Sequence, residues 1–333
     1  MVFLTSAPLA MDEFGIHPGC IGYFLSHFHT DHTKGLHRNW NTGTIYCSGL
    51  TKELLVAKYS INPGRIQEVY DEQTIFLRFS GKEELMVTFF DAHHCPGSLM
   101  CLVQTKFENM LYTGDFRYKT TLADKIREGR PLMKIDRMFL DTTFREKDFP
   151  TREKAANDLI EYLSLVPNLD RKILFIGVNN LGKETLVTRL SKKFNRRVLA
   201  SPERYATIQV VAKYLDRRNP VKTTNDDDWF QRSGIRIPDD FYTVNLHCFT
   251  DNVNDRYGII LYPLNKLTHV FMKQHPNDVA IIPSAMHAVK DGIFHNGQFI
   301  YVPYSDHSSS SEIAMFEKEI SARMVFGLDM KPV

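Results

Sequence analysis

The chain has 333 residues, 43% of them hydrophobic and 24% charged, which is enough apolar material for one large domain or two and excludes wholesale disorder. A formal net charge of +2 excludes attraction to nucleic acid through bulk charge, so any grip on phosphate must be local. Five cysteines without a CxxC spacing argue against a disulfide framework and against a cysteine-based structural zinc site.

The opening MVFLTSAPLAMDEFG has neither a basic start nor a long apolar stretch, which makes it a poor signal peptide. No run of about 18 apolar residues is present to span a membrane. Residues 1–145 read as strand-rich. Short apolar runs recur at Gly22–Ser26, Thr44–Cys47, Met86–Asp91, Leu99–Gln104, Met110–Thr113 and Met138–Leu140, each closing on or near Gly, Asp, His or Pro. Lys52–Tyr59 reads as the one clear early helix.

The character changes near Arg145. Glu153–Leu165 carries apolar residues at helical spacing. Lys172–Val178 reads as a strand, Asn179–Lys183 as a turn and Glu184–Phe194 as a helix, an alternation of the α/β kind. Asn219–Asp240 is polar, holds the acidic run Asp226–Asp228 and reads as a loop. Strands return at Val279–Pro283 and Phe299–Pro303, and a last helix fits Ser311–Ile320.

The strongest chemical signal is Ser26-His27-Phe28-His29-Thr30-Asp31-His32, directly after the apolar run Tyr23–Leu25. Alternate residues at a strand end point the same way, so His27 and His29 can converge on one ion. Asp31 and His32 follow where the chain turns and can face a second ion. Imidazole and carboxylate suit zinc or manganese without a soft thiolate. The bland alternative is a histidine-rich loop that arose by chance. Two further clusters also follow strands: Asp91-Ala92-His93-His94-Cys95-Pro96-Gly97-Ser98 and Thr113-Gly114-Asp115-Phe116-Arg117. Strand alternation does not decide between His93 and His94.

HFHTDH, DAHHCPGS, TGDFRY, LDTTF and VPYSDHSS occur in this order, and together the set resembles the metallo-β-lactamase/β-CASP nucleases, in particular their DNA cross-link repair branch. The likeness runs from Asp12 to about Ser311 and is weakest between Asn219 and Pro276. It implies an α/β protein: a metallo-β-lactamase αββα sandwich (1–146 and 275–333) with an inserted α/β β-CASP domain (147–274), the cleft between them receiving metal and DNA.

By position, the resemblance gives His27, His29, His94 and Asp115 to a first metal, and Asp31, His32 and a bridging Asp115 to a second. It thereby selects His94 over His93. The ions implied are zinc, one or two, with the second site taking Zn2+, Mn2+ or Mg2+ or staying empty. Asp12 would orient a ligand histidine from behind. Asp141 and His307 match the β-CASP acidic and histidine motifs. As a pair, the carboxylate would raise and orient the imidazole, and His307 would protonate the leaving oxygen. Asp31 is counted with these two as essential to catalysis. RNA-cutting relatives carry a further histidine that the matching stretch here, Ala322–Leu328, lacks, which resembles the DNA-cutting branch.

Asn179-Asn180-Leu181-Gly182-Lys183-Glu184 stands where relatives have a Tyr-Ser-x-Gly-Lys-Glu element. Gly182 and Lys183 at a helix start, with Thr142, Thr143 and Ser308, would form a pocket for a terminal 5′-phosphate. Lys192, Lys193, Arg196 and Arg197, with Arg204 nearby, would track a DNA backbone; a solvated helix end is the plain alternative. Tyr118, Phe144 and Tyr205 are weaker candidates for stacking on bases. The function implied is a metal-dependent DNA 5′→3′ exonuclease in cross-link repair or telomere end processing, placed in the nucleus by the likeness alone. A structure-specific DNA endonuclease or a small-molecule metallo-hydrolase are the alternatives. The latter explains HxHxDH but not Asp141, His307 or the insert.

Overall fold

The computed structural model describes residues 2–4, 6–79, 83–128, 133–179, 181–218, 246–248, 258–287 and 292–333. The expected loop Asn219–Asp240 lies outside the described residues. The chain divides into two compact units: Met1–Arg145 with Lys213–Arg236 and Ser310–Val333, and Glu146–Ala212 with Ile237–Ser309.

The first unit holds two mixed sheets. One has the order β1 (Val2–Leu4), β2 (Leu9–Met11), β3 (Gly22–Phe24), β4 (Ile45–Ser48) and β5 (Ile66–Val69), parallel from β2 onward. The other begins as an antiparallel meander of β6 (Thr74–Phe79), β7 (Glu83–Asp91), β8 (Leu99–Gln104) and β9 (Asn109–Tyr112). It continues in parallel through β10 (Arg137–Leu140) to β18 (Met324–Gly327). One apolar cluster draws on both sheets, with Leu9, Met11 and Phe24 beside Phe89, Leu99, Tyr112 and Phe139.

The alternate residues of the second sheet, among them Phe90, Met100, Leu102 and Leu111, join a separate cluster with two helices. These are α2 (Leu122–Arg127) and α7 (Ser310–Ile320), which contributes Ile313, Phe316 and Ile320. Period 2 in the strand and three-to-four spacing in the helix explain this division of one strand's residues between two cores. On the first sheet, α1 (Gly49–Tyr59) starts where the Ser48 hydroxyl accepts the Thr51 amide at 3.2 Å, and it ends at Ser60 in a left-handed conformation.

The second unit carries α3 (Arg152–Ser164), α4 (Glu184–Phe194), α5 (Pro202–Arg218) as far as Ala212, α6 (His269–Met272) and one seven-stranded sheet. Its order is β13 (Leu246–Cys248), β12 (Val198–Ala200), β14 (Ile259–Pro263), β11 (Leu174–Val178), β15 (Val279–Pro283), β17 (Phe299–Val302) and β16 (Phe294–Asn296). All neighbours are parallel except β16 and β17. β15 pairs with β11 and β17 with β15, so both strands belong to the second unit, which ends at Ser309.

Candidate metal centre

The centre is built in the first unit from loops that leave β2, β3, β7 and β9. Leu25 N–H donates to Tyr46 O and Leu99 N–H to Ser26 O, both at 2.9 Å, which carries the sheet geometry past β3 to the first histidine. The chain then turns: the amides of His32 and Thr33 both reach His29 O at 3.1 Å. Gly114, between β9 and Asp115, sits at φ +53°, and a Cβ there would meet the Ser26 Cβ at 2.7 Å. Glycine is therefore required where the Asp115 loop crosses the histidine loop.

Hydrogen bonds set the tautomers. Ser26 Oγ donates to Asp12 Oδ2 at 2.6 Å, so toward His27 Nδ1, 2.9 Å away, it acts as acceptor. His27 thus carries its proton on Nδ1 and presents a bare Nε2. His32 Nδ1–H donates to Asp12 Oδ2 at 2.8 Å, which leaves its Nε2 facing Asp115. Asp12 also accepts from Ser26 N–H at 2.7 Å and from Tyr112 O–H at 2.9 Å. Burial alone would lower the His32 pKa, but the Asp12 and Asp115 carboxylates outweigh it and push the metal-free imidazole up to about 11.

Asp115 Oδ2 is the common point of the donor set. It lies 3.7 Å from His27 Nε2, 3.4 Å from His32 Nε2 and 3.7 Å from His94 Nε2. His29 Nδ1 lies 2.9 Å from His27 Nε2 and 3.2 Å from His94 Nε2. Lone pairs this close repel unless a proton or a metal ion stands between them. Four ligands at zinc–nitrogen bond length form a tetrahedron with edges of about 3.3 Å, so the donors fit such an ion. Asp31 Oδ2 approaches His32 Nε2 at 3.6 Å while its side chain is 64% exposed, which makes it the most solvated member.

Neighbouring histidines separate here. His94 N–H donates to Ser98 Oγ at 3.1 Å and its ring joins the cluster. His93, at φ +55°, turns away and its Nδ1 pairs with Asp91 Oδ2 at 2.7 Å. Sequence reasoning set thiols aside, yet Cys95 Sγ lies with donor atoms of His27, His29 and His94, all within 4.8 Å of one another. Its adjacency to His94 was the signal that pointed there. Tyr112 was also missed, because only the fold brings its hydroxyl to Asp12.

Asp141 is buried in the first unit, directly after β10. Its Oδ1 accepts the amide of Thr143 at 3.0 Å and the Thr143 hydroxyl at 2.6 Å, and its Oδ2 accepts Phe116 N–H at 3.3 Å. Thr142 is half-buried and Thr143 exposed. His307 belongs to the second unit, on the turn after β17, with its amide on Ser305 Oγ at 3.0 Å. Ser308 beside it is buried.

The structure changes the reading of several expected DNA contacts. The Gly182 amide donates to Glu184 Oε1 at 2.9 Å, and Lys183 Nζ to Asp306 Oδ2 at 2.7 Å, so both groups are engaged by the chain's own carboxylates. Arg196 is buried and donates to the carbonyls of Leu169 and Lys172, so it does not face a phosphate. Arg204 is buried too, donating to Glu184 Oε1 at 2.7 Å, Gly182 O at 2.8 Å and Asn179 O. Tyr118 is a core residue, its hydroxyl on Glu319 at 2.8 Å. Lys192, Lys193 and Arg197 are exposed, and Phe144 and Tyr205 half-buried.

Comparison with known proteins follows the same line. No family model matches the chain. It is 30% identical over 326 residues to "5′ exonuclease Apollo" of Danio rerio, covering 96% of this chain and 50% of that protein. It is 26% identical over 334 residues to "DNA cross-link repair protein pso2/snm1" of Schizosaccharomyces pombe, covering 93% and 57%. The chain spans about half the length of the relatives it matches. A crystal structure of a protein of unknown function from Enterococcus faecalis V583 shares the fold at a TM-score of 0.54 and 14% identity, over 93% of this chain and 76% of that one. Over most of its length the chain is thus similar to proteins named for 5′ exonuclease activity and DNA cross-link repair, in keeping with its ordered motifs.

Proposed function

We propose that this chain is a zinc-dependent 5′→3′ DNA exonuclease that acts in the nucleus in cross-link repair. The observation that carries the reading is the Asp115 carboxylate facing His27, His32 and His94. We further propose the specific architecture: the first unit as a metallo-β-lactamase sandwich, the second as its β-CASP insert.

His27, His29, His94 and Asp115 would hold one ion, and Asp31, His32 and Asp115 a second. Bound there, such ions supply Lewis acidity and a nucleophilic water at neutral pH. Asp12 keeps the His32 ring turned so that Nε2, not Nδ1, faces the substrate side. Ser26 does the same for His27. On its motif match, His307 donates a proton to the departing 3′-oxygen, and Asp141 is the acidic residue that serves the same step. The products would carry 5′-phosphates. Exposed Thr143, Lys192, Lys193 and Arg197 are the groups on the surface that a DNA strand can reach.

The test is cleavage by the zinc-loaded protein of single-stranded DNA with a 5′-phosphate, the same strand with a 5′-hydroxyl, and RNA. A ladder of shortened products that depends on the 5′-phosphate is expected. Internal cuts without end dependence would point to an endonuclease. Turnover of a thioester with no cutting of DNA would replace the reading with a small-molecule hydrolase.

A further inference from the structure

Lys183 and Asp306 form a mostly buried charged pair outside the metal centre. Asp306 is buried, and its two oxygens meet different helices: Oδ2 takes Lys183 Nζ at 2.7 Å, and Oδ1 lies 3.5 Å from Arg152 Nε. Arg152 opens α3, and Lys183 immediately precedes α4. Burial pushes the Asp306 carboxyl up, but Lys183 and Arg152 hold it below the usual carboxylate range, so it is charged at neutral pH. Lys183 Nζ also lies 5.3 Å from the ring centroid of Tyr304, which is fully buried two residues before Asp306.

The lysine is presented by a loop that has little freedom. Lys183 sits at φ +69°, a conformation a lysine adopts only when its surroundings impose it, after Gly182 at φ +101°, which a glycine takes freely. The buried Glu184–Arg204 pair does so: Glu184 takes the Gly182 amide, and Arg204 takes the carbonyls of Gly182 and Asn179. The Glu184 carboxyl is pushed up by burial and pulled back by Arg204. A strained, internally tied loop thus delivers one ammonium group to one carboxylate, and the residue after that carboxylate is His307.

We propose that Lys183 is a positioning residue that acts through Asp306: the Lys183–Asp306–Arg152 ion cluster fixes the Tyr304–Ser309 turn and so the aim of His307, rather than gripping the terminal phosphate of DNA. The inference rests on the nuclease reading for its kinetic consequence, though not for its structural one.

Two measurements on the full zinc-loaded chain test it. The first is hydrogen exchange of the 304–309 amides, which needs no activity. Lys183→Met and Asp306→Asn are each expected to speed exchange there, and Lys183→Arg to restore slow exchange; unchanged exchange in Lys183→Met and Asp306→Asn overturns the proposal. The second is kcat and KM on DNA with a 5′-phosphate and with a 5′-hydroxyl.

Loss of aim should lower kcat by roughly tenfold to a hundredfold on both substrates alike. The double variant should be no worse than either single one, because both break the same ion pair. A rise in KM confined to 5′-phosphorylated DNA, with kcat kept, would make Lys183 a phosphate ligand and overturn the proposal. If Lys183→Met fails to fold, Lys183→Arg and Asp306→Asn still decide through exchange and kcat. Wild-type protein that cuts no DNA would sink the nuclease reading, while the exchange result would still judge the ion cluster.

Discussion

Asp12 and His32 face each other across 2.8 Å, twenty residues apart in sequence, and the carboxylate is fully enclosed. Four donors fill Asp12: the Ser26 amide and hydroxyl, the His32 ring and the Tyr112 hydroxyl. The same carboxylate therefore orients two of the cluster's histidines, His32 directly and His27 through Ser26. It occupies a left-handed backbone position at φ +48°, where aspartate and asparagine are the least strained side chains.

Asp12→Asn tests that role while keeping the size of the side chain and its left-handed backbone position, although its amide NH2 has to face at least one of the four donors. It removes the charge behind His32 and His27, two of the ligands proposed above. Zinc retention should weaken by about tenfold to a hundredfold, the range usual for partners behind metal-bound histidines. Competition with a chromogenic chelator measures it. Retention equal to wild type would mean that Asp12 only serves the fold.

Asp71 gives a pH-dependent prediction away from the metal ligands. Burial, and then the neighbouring Asp91 carboxylate, raise its pKa from 3.8 to about 6. A carboxyl raised in the folded state holds its proton more tightly folded than unfolded. Its contribution is thus fully present below about pH 4 and is lost as pH rises through about 6. Asp71→Asn keeps an acceptor for the Asp91 amide, which now donates to Asp71 Oδ1 at 2.8 Å, and abolishes the titration. The variant should gain on wild type by about 1–3 kcal/mol between pH 4 and pH 7, less whatever the attraction to Lys125 contributes. Urea unfolding at the two pH values reads the difference, and parallel stabilities would refute the assignment.

Much of this was legible in the sequence, and the rest was not, for physical reasons. The helix Glu184–Phe194 and the strands Leu99–Gln104 and Val279–Pro283 have the bounds that their apolar patterns predict, because the helix buries one face and the two strands are buried on both. The helix Leu122–Arg127 was missed: six residues are too few to show a period. Three-residue strands such as Val198–Ala200 owe their structure to their neighbours rather than to themselves.

At the site, the gathering of His27, His29 and His32 was foreshadowed by HxHxDH, since residue type and spacing are local. The contacts of Tyr112 and Arg204 are long-range and could not be read that way. The basic run at 192–197 reads as one surface. The fold divides it, because the carbonyls of Leu169 and Lys172 needed a buried donor and Arg196 supplies it.

Arg204 and Glu184 form a buried ion pair whose parts are not separately tolerable. Arg204→Met leaves the Glu184 carboxylate enclosed without its countercharge and strips the carbonyls of Asn179 and Gly182 of their donor. Stability should fall by about 3–5 kcal/mol. Adding Glu184→Gln should return part of it, since the orphaned charge is gone. Denaturant unfolding of the single and double variants measures both steps, and additive losses would show that the pair is not coupled.

The divided basic run yields the last prediction. Lys193 and Arg197 are exposed, where a phosphate can approach, whereas Arg196 is buried under its two carbonyls. If the exposed residues touch a single strand, Lys193→Ala with Arg197→Ala should flatten the dependence of log affinity on log salt by about 0.7 for each phosphate no longer neutralised. Arg196→Ala should leave that slope alone and instead cost about 1–3 kcal/mol of stability, because it strands buried carbonyls. Fluorescence anisotropy of labelled single-stranded DNA across a salt series, beside thermal melts, separates the two effects. A slope that changes with Arg196→Ala but not with the exposed pair would reverse the assignment of surface and core within this run.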